Sequence, residues 1–373
     1  MLFRDIIGQQ NVKERLRKSV LEGRIPHALM LSGPEGTGKL QLAIAFAQYL
    51  NCTHRTEEDA CGVCPTCLQY GNLQHPDLHF AFPIVKSDKG DTCNDFLEDF
   101  RQLVLTEGYF SQEDWYRALG VDNKQGMIYE KESSEILRKL SLKAFGEGWK
   151  VMIIWQPEKM NQVCANKLLK LLEEPPEQTV FLLVTEQPDQ LLPTIVSRVQ
   201  QIRVQRLPEE ELATRFPADI AHIASGSYLA AKRLAADNEE NSRQLEDFIA
   251  LMRRAWLVAN KKDYSALLEL RRWSTDMADS KVGREKQKAF LRYAQQQVRE
   301  NYIRHFGEPS INYQTDAEAA FSRNFAAFIN DSNAEAIMQQ LALAEQQIVQ
   351  NGNAKIIFFD LCLQMIVLIK KPQ

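Results

Sequence analysis

Gly33-Pro34-Glu35-Gly36-Thr37-Gly38-Lys39-Leu40 is the stretch whose reading decides the fold. It follows an apolar run at 28–31 and precedes Leu42, Ala43, Phe46, Ala47 and Leu50, which share one face of a helix. Strand, glycine-rich turn and helix together are the setting a phosphate loop needs. Glycines let backbone N–H groups approach phosphate oxygens, the helix N-terminus favours an anion, and a lysine at its start reaches the terminal phosphates. Gly33, Gly36, Gly38 and Lys39 are therefore the expected phosphate-binding residues. The next position departs from the pattern: a hydrolysing loop places Ser or Thr there to ligate Mg²⁺, and Leu40 has no oxygen to offer. Binding of ATP or ADP stays open on this reading, while hydrolysis is not expected.

Working outward, residues 1–205 alternate short apolar runs with helical patterns, the clearest runs being 27–32, 150–155, 179–185 and 200–204. This predicts an α/β domain with a parallel sheet and crossover helices. The run at 150–155 ends in Trp155-Gln156-Pro157, where an ATPase of this type carries acids that position Mg²⁺ and the attacking water. Glu158 follows two positions late, behind a proline, and is not expected to face the phosphates. Phosphoryl transfer rests on positioning and metal-borne charge stabilisation, so losing the hydroxyl and both acids together should abolish turnover.

Residues 83–127 fit the alternation poorly, with Asp88, Asp91, Asp95, Glu98 and Asp99 crowded before an aromatic-rich region. They read as an insertion without an assigned role. Residues 206–241 read as a small helical lid opened by Pro208-Glu209-Glu210-Glu211, a proline and acids in a first turn. From 242 to 373 the chain is expected to be all helical: Leu245, Phe248, Ile249, Met252, Trp256 and Leu257 fall on one helix side, as do Phe321, Phe325, Phe328 and Ile329.

Four of the seven cysteines, Cys52, Cys61, Cys64 and Cys67, are spaced Cys-x8-Cys-x2-Cys-x2-Cys directly behind the phosphate-loop helix. Four thiolates so close in sequence can surround one tetrahedral Zn²⁺, with Gly62 and Pro65 suited to the turns between them. An iron–sulfur cluster or free thiols are the alternatives. A closed four-cysteine shell leaves no open coordination position, so the expected role is structural. His54, His75 and His79 then read as bystanders, and Cys93, Cys164 and Cys362 as ordinary residues.

The 373 residues carry 45 Lys+Arg against 49 Asp+Glu, a formal charge of −4, with 45% apolar and 25% charged residues. This composition is that of a globular chain of two or three domains, not a disordered or fibrous one. The slightly acidic balance argues against strong autonomous binding to nucleic acid. The start lacks the long apolar core of a secretory signal, and the run 356–369 is interrupted by Asp360 and Gln364 and too short to span a membrane. A cytoplasmic protein is expected.

With these residues in hand, the sequence resembles the bacterial clamp-loader subunits of DNA polymerase III, members of the AAA+ superfamily, and within them the delta-prime branch. The resemblance is carried by Ile7-Gly8-Gln9, His27-Ala28, the phosphate loop, the four-cysteine module and His75-Pro76-Asp77. It continues with Ala165-Asn166-Lys167-Leu168-Leu169-Lys170-Leu171-Leu172-Glu173-Glu174-Pro175-Pro176 and Leu191-Leu192-Pro193-Thr194-Ile195-Val196-Ser197-Arg198. In the C-terminal part only the helical character and Asn353-Ala354-Lys355 match.

The resemblance implies a RecA-like AAA+ domain, a lid and a helical collar that assembles with gamma/tau and delta subunits to place the sliding clamp on primer-template DNA. The family's motor subunits carry a Thr after the loop lysine, an acid pair and a lid Arg; here Leu40, Trp155-Gln156 and Leu229 stand in those places. The departures imply a non-hydrolysing stator, the alternative being a weakly active gamma/tau-like ATPase. The Ser-Arg of the family's Ser-Arg-Cys motif is kept as Ser197-Arg198. It implies that Arg198 acts in trans as an arginine finger, a role that contributes about 10³–10⁵ in rate where it operates; local pairing of Arg198 with a carboxylate is the plainer possibility.

Overall fold

The computed structural model describes residues 1–121, 125–145, 148–236, 239–279 and 282–369, so small parts of the expected insertion, lid and collar lie outside the described residues. The chain forms two compact units, Met1–Val121 with Gln125–Lys232, and the part from Arg233 onward.

The first unit is built on five strands, β1 (Ala28–Ser32), β2 (Leu78–Ala81), β3 (Lys150–Trp155), β4 (Thr179–Thr185) and β5 (Gln200–Arg203). They lie in the order β2-β3-β4-β1-β5 and every pairing is parallel. Leu31 pairs with Val184 and Ile154 with Leu183, so the carboxyl ends of β1, β3 and β4 finish side by side. Every residue of β1, β3 and β4 is buried, because helices cover both faces of a parallel sheet. That is why these strands read as unbroken apolar runs.

The helices of this unit are α1 (Gln10–Leu21), α2 (Lys39–Asn51), α3 (Pro65–Gly71), α4 (Leu97–Glu107), α5 (Gln112–Ala118), α6 (Glu130–Ser141), α7 (Gln162–Glu173) and the single turn α8 (Pro193–Val196). α9 (Glu209–Leu212) and α10 (Ala218–Ile223) follow, and α11 (Tyr228–Ala235) runs to the unit's edge. All of α2 is buried, packed on β1, β3 and β4 and covered by α1 and α3.

The described residues of the stretch 83–127 pack through aromatic side chains. Ile84 and Met127 exchange two backbone hydrogen bonds, of 3.1 and 3.0 Å, at its base. Phe82, just before it, stacks on Phe100 at 4.1 Å, Trp115 meets both rings edge-on, and the Trp115 indole N–H donates to Pro83 O at 2.7 Å. Trp155 joins this cluster from the end of β3, 5.7 Å from Phe100 and 5.3 Å from Phe110. Such aromatic pairs each contribute about 0.5–1.5 kcal/mol beyond the area they bury.

The second unit is helical: α12 (Glu239–Trp256), α13 (Ser265–Met277), α14 (Arg284–Ile303), α15 (Asp316–Phe325), α16 (Ala334–Val349) and α17 (Ala354–Leu368). Its core gathers Phe248, Met252, Trp273, Phe290, Leu341, Phe358 and Met365. A short π-helical stretch, Leu257–Lys261, ends α12. α17 is rich in apolar residues beyond its buried face, and Ile356 and Val367 are exposed, by 68% and 57%. Among the described residues, no helix is long and apolar enough to cross a membrane.

Candidate functional site

The crevice beyond the carboxyl ends of β1, β3 and β4 is where ligands seat on a parallel α/β sheet. β1 delivers the phosphate loop into it, and α2 begins at Lys39. Gly33 has no room for a side chain, since a Cβ there would lie 2.1 Å from Val204 O. Gly38 turns the chain into α2 with φ +88°, a left-handed conformation that favours glycine. Both glycines are thus dictated by backbone geometry.

Lys39 is almost completely buried and folds back on the loop. Its ammonium donates to Pro34 O, and Glu186 lies 3.8 Å away. Burial lowers its pKa, opposed by the charges of Glu186, Glu35 and Glu158. Thr37 Oγ1 donates to Pro34 O at 2.9 Å, and the Gln9 amide spans Thr37 O and Gln205 O at 3.3 and 2.7 Å. The loop has the backbone and the lysine to hold a phosphate. In this arrangement its own carbonyl takes the lysine's proton donor.

Leu40 faces the core and is buried. At the end of β3, Trp155 points into the aromatic cluster, and the buried Gln156 Oε1 has no hydrogen-bond partner among the described residues. Glu158 differs from expectation. Gln156 adopts φ 56°, which redirects the chain, and Glu158 comes back to the crevice, where Thr185 Oγ1 donates to its carboxylate at 2.8 Å. Burial raises its pKa, and its charge is felt at Lys39. Carboxylates therefore do surround Lys39, but from Glu158 and Glu186 rather than from the strand end. From α11, Leu229 is buried, and the Tyr228 N–H donates to Gly36 O at 3.0 Å.

Cys52, Cys61, Cys64 and Cys67 converge with all four sulfurs within 4.8 Å of one another. Cys61 and Cys67 Sγ are 3.8 Å apart, the edge of a tetrahedron of about 2.3 Å zinc–sulfur bonds, about 3.8 Å. Backbone N–H groups of Cys61, Cys64 and Cys67 donate to the sulfurs of Cys52, Cys61 and Cys64 at 3.3–3.4 Å. Burial pushes the Cys64 thiol up, but the Cys67 N–H with the Thr53 and Cys61 side chains outweighs it and brings it down to about 6; burial drives Cys67 up to about 12. The donor set, spacing and directed N–H groups fit a soft tetrahedral metal ion. His75 instead stacks on Tyr70 at 4.6 Å, away from the ligand set, and Cys93, Cys164 and Cys362 are buried singly.

Arg198 stands just past α8, about one-third exposed. Its guanidinium reaches Glu173 Oε1 at 2.6 Å and donates to Thr194 O at 2.9 Å. The local carboxylate partner is therefore Glu173, at the end of α7.

A family described as DNA polymerase III, delta subunit, matches residues 8–208, just over half the chain. The chain belongs to this family of AAA+ clamp-loader subunits. The DNA polymerase III subunit delta' of Bacillus subtilis (strain 168) is 30% identical over 56% of this chain and 50% of its own length. Subunit tau of the same strain is 29% identical over 57% of this chain and 31% of its own, and subunit tau of Escherichia coli (strain K12) 30% over 67% and 32%. The chain thus spans a third to a half of the length of these curated relatives. Among solved structures, a DNA polymerase III gamma subunit-related protein from Thermotoga maritima has a TM-score of 0.45 and 14% identity over 96% of this chain and 99% of that one.

Within this clamp-loader subunit, the phosphate loop, the cysteine cluster and Arg198 all fall in the family-matched part. The residues that sequence reasoning missed are Glu158, Thr185 and Glu186, and the aromatic partners of Trp155. The periodicity of the sequence carries no signal for any of them.

Proposed function

We propose that the chain is the delta-prime subunit of the DNA polymerase III clamp loader, a stator that turns over no ATP itself. One observation carries this reading: β3 ends in Trp155-Gln156, with the indole locked among Phe100 and Phe110 where acids for Mg²⁺ would stand. Leu40 and Leu229 point the same way, since neither can ligate a metal or contact a phosphate. Glu158 stands beyond the end of β3, behind Pro157, and takes a hydrogen bond from Thr185 Oγ1, so it does not occupy the strand-end position of the missing acids.

In this reading Zn²⁺ is held by Cys52, Cys61, Cys64 and Cys67 and fixes the chain between α2 and α3; its contribution is structural. The helical unit acts as a collar, and the exposed Ile356, Leu363 and Val367 of α17 offer apolar surface to neighbouring subunits. Gamma/tau and delta subunits are the partners, and the sliding clamp and primer-template DNA are engaged through the complex, in the cytoplasm. Arg198 completes the ATP site of a neighbour.

The competing reading, a weakly active gamma/tau-like motor, draws on Glu158 and Glu186 beside Lys39. Steady-state hydrolysis by the isolated chain separates the two. The stator reading expects no Mg²⁺-dependent turnover above a Lys39→Ala background; turnover that disappears with Lys39→Ala establishes the motor.

A further inference from the structure

The inserted subdomain has a task that the stator reading leaves unassigned. Its turn between α4 and α5, Glu107 to Phe110, lies over the phosphate loop. The side-chain amide of Gln41, in the first turn of α2, donates to Gly108 O. The Tyr109 hydroxyl is buried 3.0 Å from the point where Gly38 would carry a Cβ, and Ile6 Cγ2 is 3.5 Å from the same point. The Tyr109 ring stacks on Tyr228 of α11, centroids 4.2 Å apart and planes at 29°. Phe110 packs on Trp155, and the Lys232 ammonium ties down the turn's start through Glu107 O at 3.2 Å and Glu107 Oε2 at 2.6 Å.

A nucleotide whose phosphates sit on the loop must send its sugar and base out of the crevice, past Gly38, to stack against flanking elements. The space bounded by Ile6, Gly38 and Tyr228 is such an exit, and it holds a flat aromatic ring. Lys39, which would meet the terminal phosphates, is already engaged by Pro34 O. The ring fills the space a nucleotide would need, and the carbonyl engages the lysine it would use.

We propose that Glu107–Phe110 is a built-in plug that closes the phosphate loop to nucleoside di- and triphosphates, with Tyr109 in the place of the base. Opening the site for a ligand costs the Tyr109–Tyr228 stack, the packing of Phe110 on Trp155 and the Lys232–Glu107 pair. Apparent affinity is then the intrinsic affinity scaled by the small open fraction. The inference concerns binding by this chain alone and stands whichever clamp-loader subunit the chain is.

The test is a fluorescence titration of the isolated full chain with methylanthraniloyl-ADP and Mg²⁺, comparing wild type, Tyr109→Ala, Lys232→Ala and the double variant Tyr109→Ala/Lys39→Ala. Tyr109→Ala should bind at least about tenfold more tightly than wild type, since it raises the open fraction, and Lys39→Ala should remove that gain. Lys232→Ala, a change at a half-exposed tether that leaves the ring in place, should give a smaller gain in the same direction. It keeps the proposal testable if Tyr109→Ala proves unfolded by circular dichroism. Equal affinity in wild type and the plug variants, no binding by any of them, or a gain that survives Lys39→Ala overturns the plug. None of these outcomes bears on turnover or assembly, so they leave the stator reading to its own test.

Discussion

Stripping the metal from the cluster of Cys52, Cys61, Cys64 and Cys67, by chelator or by Cys67→Ser, is expected to lower the unfolding temperature of the first unit by roughly 8–16 °C. The figure follows from linkage: a ligand bound a thousandfold above its dissociation constant stabilises by about 4 kcal/mol, and each kcal/mol shifts a unit of this size by about 2–4 °C. Residues 52–64 contain no helix or strand that could hold them in place without the cluster.

The damage should spread to the chain's start. Asp59 accepts hydrogen bonds from the Phe3 and Arg4 N–H groups at 3.1 and 3.0 Å, and Tyr49 donates to Thr56 O at 2.7 Å. Loosening the cluster frees both ties, and with them the turn that packs Phe3 on Tyr49. Elemental analysis should find one zinc per chain, and calorimetry with and without chelator should give the shift. A metal-free protein with an unchanged transition would contradict the structural role.

On the arginine-finger reading, Arg198→Ala is the second large effect: in the assembled complex, ATP hydrolysis at a neighbour's site should fall by about 10³-fold or more. The isolated structure has Arg198 paired with Glu173. An ion pair this exposed is worth about 0–1 kcal/mol, whereas 10³ in rate corresponds to about 4 kcal/mol of transition-state stabilisation. If Arg198 acts as a finger, the transition-state gain at a neighbour's site is several times what the local pair with Glu173 contributes. Glu173→Ala serves as the control. If Arg198 only braces α7 against α8, both variants lose the same small amount of stability and neither changes hydrolysis. If it is a finger, only Arg198→Ala stops the site, with assembly intact by gel filtration.

β1, β3 and β4 were legible in the sequence because burial on both faces demands unbroken apolar runs. β2 was not: four residues, Leu78–Ala81, directly behind Pro76-Asp77, are too few for a pattern to emerge. The cysteine cluster was legible because its ligands are local, so spacing alone carries the geometry. Glu158 was hidden by one backbone angle. A left-handed φ at Gln156, a residue type with no particular preference for it, sends the chain back toward Thr185. Tyr109 was hidden for a different reason: its contacts with Gly38 and Tyr228 are distant in sequence, and an insertion that departs from the strand–helix alternation gives no hint of where it packs. The missing acids were readable, but not what filled their place.

The most direct test of the central claim is ATP hydrolysis by a complex reconstituted from this chain with gamma/tau and delta subunits, stimulated by sliding clamp and primed DNA, using either the wild-type chain or its Lys39→Ala variant. A stator predicts hydrolysis that requires the chain yet proceeds at the same rate with Lys39→Ala. A rate that falls with Lys39→Ala, or one that is the same when the chain is left out, would contradict the account.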